Sequence, residues 1–469
     1  MALMESLSGI RGIWGRDLNE EISARYAYSY LSFLKKKTKS PVVVVGSDTR
    51  LSGKLIKGAI FEVLDCGIID VGIATTPAVE LAVREFNADG GIIITASHNE
   101  PYFNGFKFLR EDGAVLSEED MQKVIKIFHQ NKRKKFPKGK FFSQINKNNE
   151  LMKKYSDFVV DFIGKNNIDK IKKSKLKVVV DPNGGTGIAA VGVLENIGVN
   201  VIGVNTEQGA FNRAIEPNED SLVYLSNAIK ENNADFAVGF DCDADRAEIL
   251  LPNGLIISGH YILALVAEYI LSFNKRKKFS NGEFFSEIVV VNDATSNVVK
   301  EIVESYNGRI IETGVGEINV VDEMLRQNAV LGGEGSSAGA IIPPSRCRDG
   351  ILTTACIIAL MANKGKELNQ IIDGMPKYCT LKSKKQFEKG EYDKIINSIE
   401  IYYSNKNYRI KSRNDSIKAV VDKNSFVWFR ASKTEAGIFR IIADSNNREK
   451  AEELLNEAVG VFENAKRAE

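Results

Sequence analysis

The sequence predicts an α/β protein of three successive, similar mixed α/β domains followed by a C-terminal α+β domain with an antiparallel sheet. Three observations carry this expectation. Apolar runs alternate with helical periodicity in three blocks of similar rhythm, and the final block sets successive strands before an amphipathic helix. A chain of 469 residues is also too long for a single hydrophobic core.

The first block, residues 1–150, contains "PVVVVGSDTR", a buried strand and its exit loop. A helix near 51–65, a strand near 68–71, a helix near 77–87 and the strand "GIIIT" follow. Continuous apolar strands between helices imply a sheet covered on both faces and largely parallel. The second block, 151–253, restarts with "LKVVVDPNGGTGIAAVGVLENIGVNVIGVN", a strand, Gly-rich turn, helix and strand, and closes with "ADFAVGFDCDADRAEILLPNG". The third, 254–374, repeats strand, helix and strand in "EIVVVNDATSNVVKEIVESYNGRIIETG", then sets the turn of "VLGGEGSSAGAIIPP" between two apolar runs. The fourth, 375–469, places strands at "SIKAVVD", "SFVWFRAS" and "GIFRIIAD" and an amphipathic helix from Arg448 to about Ala465. That order is α+β.

Composition narrows the function classes. With 43% apolar residues, 26% charged residues and a net charge of +2, the chain reads as globular, without an overall nucleic-acid footprint. Five scattered cysteines imply reduced thiols, and three histidines far apart in sequence argue against a His-rich metal site. The start "MALMESLSGIRGIWG" lacks a basic region followed by a long apolar core, and no apolar run is long enough to span a bilayer. A cytoplasmic protein with no membrane or nucleic-acid partner, monomeric or homodimeric, is expected. Two near-identical basic stretches, "NKRKKFPKGKFF" and "NKRKKFSNGEFF", read as surface connections and stay outside the expected site.

Four loops carry chemistry, each beyond a strand end where open α/β sheets place ligands. In "GIIITASHNEPYFNGFKF", Ser97 lies just past its strand, in the position of a presented nucleophile. His98, Asn99, Asn104 and Lys107 can give hydrogen bonds or positive charge to an anion there, whereas a lone serine would read as a cap or turn. In "DCDADR", three alternate carboxylates, Asp241, Asp243 and Asp245, suit Mg²⁺. An EF-hand fails, because its sixth position is Arg246 and its twelfth Pro252, where Gly and Glu are required. In "GGEGSSAG", Glu334 and Ser336 can contact sugar hydroxyls, with a plain turn as the competing reading. In "RASKTEAGIFR", Arg430, Ser432, Lys433 and Thr434 form a donor-rich set suited to a terminal phosphate, or an exposed polar hairpin.

These four loops, in this order and at these separations, resemble the α-D-phosphohexomutase superfamily over essentially the whole chain, beginning with "SGIRG" (Ser8–Gly12). Members carry a TASHNP active-site loop, a DGDADR metal loop, a GE-x-S sugar loop and an R-x-S-[NG]-T phosphate loop. The resemblance implies four domains around one central cleft and a phosphoserine enzyme that moves phosphate between C1 and C6 of a hexose. It implies that Ser97 holds the phosphoryl group and shares one Mg²⁺ with Asp241, Asp243 and Asp245. Lys107 and Arg11 match basic residues beside that phosphate, and His98 matches the loop histidine. Glu334 and Ser336 match the sugar contacts, and Arg430, Ser432, Lys433 and Thr434 the loop that holds the non-reacting phosphate. Five departures stand out: Glu100 for the usual proline, Cys242 for the first glycine of the metal loop, Lys433 for Asn or Gly, the longer "TEAGIFR", and Ala338 where some manno/glucomutases have histidine.

The implied reaction passes through an enzyme-bound hexose 1,6-bisphosphate, with Lys107 or His98 exchanging the proton. "SLSGIRG", "TGVGEINVVDEM" and "GGEG" lie closer to the phosphoglucosamine mutase branch, so glucosamine 6-phosphate to glucosamine 1-phosphate is the leading expectation. Phosphomannomutase/phosphoglucomutase is the alternative, towards which "RASKTE" pulls. A Mg²⁺-dependent sugar phosphatase and a non-catalytic sugar-phosphate-binding protein are the competitors from other classes.

Overall fold

The computed structural model describes residues 3–6, 9–131, 143–273, 286–336, 338–413, 415–432, 435 and 437–467. Lys433 and Thr434 of the expected site lie outside these residues, as do Ser8 of the "SGIRG" segment and the two basic stretches apart from Asn131.

Four sheets follow one another along the chain. The first contains β1 (Met4–Ser6), β2 (Gly9–Ile13), β3 (Val42–Ser47), β4 (Gly67–Ile73), β5 (Gly90–Ile94), β6 (Phe103–Leu109) and β7 (Ser143–Asn146), in the order β1-β2-β6-β5-β3-β4-β7. Its central strands β3 and β5 are almost wholly buried because helices cover both faces. The sheet is mixed, a correction to the largely parallel arrangement expected. β3, β4, β5 and β7 run parallel, while β6, β2 and β1 return antiparallel. The cause is local: segment 95–102 is too short for a parallel crossover, which takes roughly a dozen residues or more. Lys107 therefore sits on a strand opposite Ile93, and not in the connection itself.

The second sheet contains β8 (Lys177–Asp181), β9 (Asn200–Gly203), β10 (Phe236–Phe240), β11 (Ala247–Leu250) and β12 (Ile256–Ile257), ordered β12-β11-β10-β8-β9. The third contains β13 (Ser286–Asn292), β14 (Arg309–Thr313), β15 (Ala329–Gly333) and β16 (Ala340–Ile341), ordered β14-β13-β15-β16. In both, the parallel strands lead into an antiparallel pair, β10–β11 or β15–β16, whose connection carries the metal loop or the sugar loop, and β12 adds a further antiparallel strand to the second sheet.

The first three units share one apolar core. It runs from Val44 and Val79 through Val178 and Phe240 to Leu265 and Leu352. Helix Gly350–Lys364, buried over most of its length, packs on helix Gly259–Ser272 of its own unit and on helix Lys165–Ser174 of the second. A continuous core of this kind makes the three units one body, so loops on different sheets keep fixed positions.

The fourth sheet is antiparallel: β17 (Cys379–Gln386), β18 (Arg409–Arg413), β19 (Ser416–Asp422), β20 (Ser425–Ala431) and β21 (Ile438–Ser445), ordered β17-β21-β20-β19-β18. Its own core lies under helices Tyr392–Asn405 and Arg448–Arg467. Side chains alternate along β20. Val427 and Phe429 enter that core, and Phe426 and Trp428 pack on Ala294 of the third unit. Polar contacts complete this joint, with Ser416 Oγ donating to Asp293 Oδ2 at 2.7 Å and the Asn297 amide donating to Asp444 Oδ2 at 2.9 Å.

Candidate active site

β5 delivers Ser97 to the site in a conformation that serine seldom adopts. Its φ is +50°, in the left-handed region, a strain of about 1–3 kcal/mol that the surroundings must hold. They do so through a buried relay. The Ser97 amide donates to Thr95 Oγ1 at 2.8 Å, and that hydroxyl donates to Asp48 Oδ2 at 2.7 Å. Arg50, ion-paired with Asp48, donates through Nη2 to the carbonyl oxygens of Ser97, at 2.8 Å, and of Asn99. So constrained, the Ser97 hydroxyl donates to Asp241 Oδ2 at 2.9 Å.

β10 ends at Phe240 and the chain turns through Asp241–Arg246 into β11. The three aspartates are buried, and one carboxylate oxygen of each lies within 4.8 Å of the others. Lys107 Nζ donates to Oδ2 of Asp243 at 2.7 Å and of Asp245 at 3.0 Å. Among the described residues Oδ1 of each is buried with no hydrogen-bond partner, a costly state that a divalent cation relieves. The donor set, three hard carboxylates with a serine oxygen alongside, fits Mg²⁺. Burial and the neighbouring Asp245 and Asp243 push the Asp241 carboxyl well above its ordinary range. Burial also opposes ionisation of Asp245, but Lys107, Arg348 and Arg246 outweigh it and hold that carboxyl far below its usual value. Cys242 does not need a positive φ; the left-handed position of this loop is Ala244, at +55°. The carbonyl of Cys242 accepts from the Thr186 amide at 2.9 Å and from its hydroxyl at 3.0 Å, which pins the loop from "DPNGGTG".

Arg11 and His98 flank the cluster. Arg11, on β2, donates to Asn99 Oδ1 at 2.8 Å. Burial and the nearby Arg246 lower its pKa to about 10. The buried Nδ1 of His98 has no hydrogen-bond partner among the described residues, and burial together with Arg246 and Arg11 lowers its pKa to about 2. The imidazole is therefore neutral at physiological pH. Glu334 Oε1 accepts from Asn292 Nδ2 at 2.9 Å and from the Gly316 amide at 2.8 Å, while Ser336 is exposed. Ala338 is fully buried, and its carbonyl accepts from the Ala247 amide at 3.2 Å, which ties the sugar loop to the end of the metal loop.

The fourth unit stands apart from these contacts. Arg430 pairs with Asp415 at 3.0 Å, and the Ser432 hydroxyl accepts from the Glu435 amide at 3.1 Å. Among the described residues, no hydrogen bond or ion pair joins either to the Ser97 cluster.

Several residues at the site carry no motif. Thr76 crosses from the first unit to the second, with its amide donating to the Asp243 carbonyl at 2.9 Å and its hydroxyl to Asp243 Oδ2 at 2.6 Å. Arg348 reaches Asp245 Oδ2 at 3.5 Å and pairs with Glu317 Oε2 at 2.9 Å. The one sequence signal for Thr76 is "ATTPA", a threonine cap followed by proline at a helix start.

Comparison with known proteins agrees with this geometry. Models of the phosphoglucomutase/phosphomannomutase alpha/beta/alpha domains I, II and III match residues 5–135, 153–254 and 258–378. A Thermococcus kodakarensis phosphoglucomutase/phosphomannomutase is 36% identical over 97% of this chain and 98% of its own length. A Clostridium kluyveri phosphoglucosamine mutase is 31% identical over 80% of this chain and 82% of its own. Among solved structures, a Burkholderia thailandensis phosphoglucomutase/phosphomannomutase family protein superposes with a TM-score of 0.79 at 20% identity, covering 99% of each chain. An Aspergillus fumigatus N-acetylphosphoglucosamine mutase, solved with GlcNAc-6P and magnesium, gives 0.58 at 14% identity, covering 99% of this chain and 96% of that one. The three domain matches and the 36% relative place this chain in the phosphoglucomutase/phosphomannomutase family of the α-D-phosphohexomutase superfamily, and it is a phosphohexomutase.

Proposed function

We propose that Ser97 carries a phosphoryl group and passes it to the free hydroxyl of a hexose monophosphate, giving a bound 1,6-bisphosphate that returns its other phosphate to Ser97. The observation that carries this reading is the 2.9 Å contact between Ser97 Oγ and Asp241 Oδ2, which sets the hydroxyl against the carboxylate cluster. Phosphoryl transfer needs positioning and charge neutralisation above all. Asp241, Asp243 and Asp245 would hold Mg²⁺, which when bound polarises the phosphoryl oxygens.

The remaining work falls to side chains. Lys107, whose ammonium is held charged by Asp243 and Asp245 against the opposing effect of burial, is a donor to the phosphoryl oxygens. Arg11 supplies a second positive charge. Lys107 or His98 exchanges the proton with the attacking sugar hydroxyl, and burial with the flanking Arg246 and Arg11, which lower the His98 pKa to about 2, makes that imidazole the weak base of the two. Glu334 and Ser336 contact the sugar. The phosphate that does not react is held by Arg430, Ser432, Lys433 and Thr434. The held φ of Ser97 supports the covalent role, since a strained and fully braced serine costs free energy that a mere turn does not require.

For the hexose, we propose glucosamine 6-phosphate, as the "SLSGIRG", "TGVGEINVVDEM" and "GGEG" segments suggest. The phosphoglucosamine mutase relative at 31% supports this. A second reading, glucose and mannose phosphates, has its own support in the 36% relative. A coupled assay on glucosamine, glucose and mannose 1-phosphates decides: the highest kcat/KM on glucosamine 1-phosphate supports the first reading, and a higher value on either neutral sugar replaces it with the second.

A further inference from the structure

A cavity of about 250 Å³ lies away from the aspartate cluster, at the joint between the third and fourth units. β14 and helix Asn297–Ser305 wall it on one side, and β18, β19 and the start of β20 on the other. Domain interfaces are where small-molecule sites concentrate.

The charges in this wall do not balance. At the floor, one carboxylate serves two ammonium groups: Glu312 accepts from Lys411 at 2.6 Å and from Lys418 at 2.7 Å. Lys418 is only 3% exposed, with its ammonium 3.8 Å from the centre of the Phe426 ring. Asp293 lies behind the same floor but is engaged by Ser416 at 2.7 Å and Arg413 at 3.5 Å. At the rim, Asp422 is turned outward to Lys450, and Glu304 has a loose 3.9 Å pair with Lys300. Arg309 and Lys423, both exposed on the rim, have no hydrogen-bond or ion-pair partner among the described residues. Five cations thus meet three carboxylates, and the two unpaired cations come one from each side of the joint.

We propose that this cavity is a second, non-catalytic binding site for a dianionic phosphate group, gripped at the rim by Arg309 from the third unit and Lys423 from the fourth. A guanidinium and an ammonium lining one cavity from opposite walls, with the buried Lys418 ammonium between them and the core, are the chemistry that recognises phosphate. Because the two grips belong to different units, a bound phosphate favours the arrangement of the fourth unit seen here over any in which it swings away. The site owes nothing to Ser97 or its neighbours, so it stands or falls separately from the catalytic reading.

The test is calorimetric titration of inorganic phosphate into the full-length chain in magnesium buffer, comparing wild type with Arg309→Glu/Lys423→Glu. A second double reversal, Lys36→Glu/Lys39→Glu, makes the same change of net charge on exposed residues of the first unit. The expected result is one more phosphate site in wild type and in the Lys36/Lys39 variant than in the Arg309/Lys423 variant, or a loss of at least tenfold in affinity for that site alone, with unchanged melting temperature and basal turnover. Identical titrations in all three proteins overturn the proposal. So does equal weakening in both variants, because bulk charge then accounts for the binding.

Discussion

Thr76 and Asp243 are joined twice, backbone to backbone at 2.9 Å and hydroxyl to carboxylate at 2.6 Å, across the boundary between the first two units. Lys107 approaches the same hydroxyl at 3.4 Å. Thr76 thereby orients a carboxylate of the cation cluster without joining the cluster itself. Groups that orient metal ligands typically contribute about 10–100-fold in affinity. Thr76→Val should weaken Mg²⁺ binding by about that factor in a calorimetric titration, with Thr76→Ser close to wild type. Unchanged affinity in the valine variant would show that Asp243 is oriented without this hydroxyl.

The Asp48–Arg50 pair should dominate stability around the phosphoserine loop. Both side chains are fully buried, and Arg50 also holds two loop carbonyls. Arg50→Met leaves a buried, uncompensated carboxylate, which typically costs about 3–5 kcal/mol. The denaturation midpoint should fall accordingly, and Asp48→Asn added to Arg50→Met should recover part of the loss. A midpoint equal to wild type for Arg50→Met would contradict this.

Glu80 makes stability fall as pH rises from about 4.5 to about 8. Burial, only partly offset by Arg84, pushes its pKa from the ordinary 4.5 up to about 8. The fold therefore favours the protonated carboxyl. Its contribution is complete below about pH 4.5 and is lost as pH rises through about 8. The melting temperature of wild type should decline as pH rises from about 4.5 to about 8, and Glu80→Gln, which keeps the shape without the ionisation, should flatten that decline. An equal decline in both proteins would assign the effect elsewhere.

Gly335 is fixed by packing against His260. A Cβ at this position would fall 2.1 Å from His260 Nδ1 and 2.9 Å from the Thr295 methyl. His260 is buried, and its Nδ1 accepts from the Ser296 amide at 3.2 Å, so it cannot yield easily. Gly335→Ala should displace the sugar loop and raise KM by about tenfold or more, with Mg²⁺ affinity unchanged. A wild-type KM would show that the loop adjusts freely.

Much of this site was legible in the sequence because its motifs are local. Asp241, Asp243 and Asp245 fall within one hexapeptide, and Ser97 and His98 directly follow an apolar strand. The fourth block was legible because "SIKAVVD", "SFVWFRAS" and "GIFRIIAD" follow one another across connections too short for a parallel crossover. Lys107 was found as a residue but misplaced, because the return of β6 beside β5 is a property of a short connection that apolar periodicity does not register. Thr76, Arg50, Arg348 and Glu317 were missed for another reason: each acts on a partner from a different segment, and their spacing along the chain has no characteristic value. The shared core of the first three units was equally invisible, because a buried helix such as Gly350–Lys364 does not disclose which neighbour's face it covers.

The central claim, a phosphoryl group carried on Ser97, is tested most directly by mass spectrometry of the protein after incubation with a hexose 1,6-bisphosphate and Mg²⁺. The account predicts the mass of one added phosphoryl group, mapped to the peptide containing Ser97. It also predicts that Ser97→Ala neither gains that mass nor interconverts the 6- and 1-phosphates, while its melting temperature stays near wild type. Phosphate mapped to another residue, or wild-type turnover in Ser97→Ala, would contradict it.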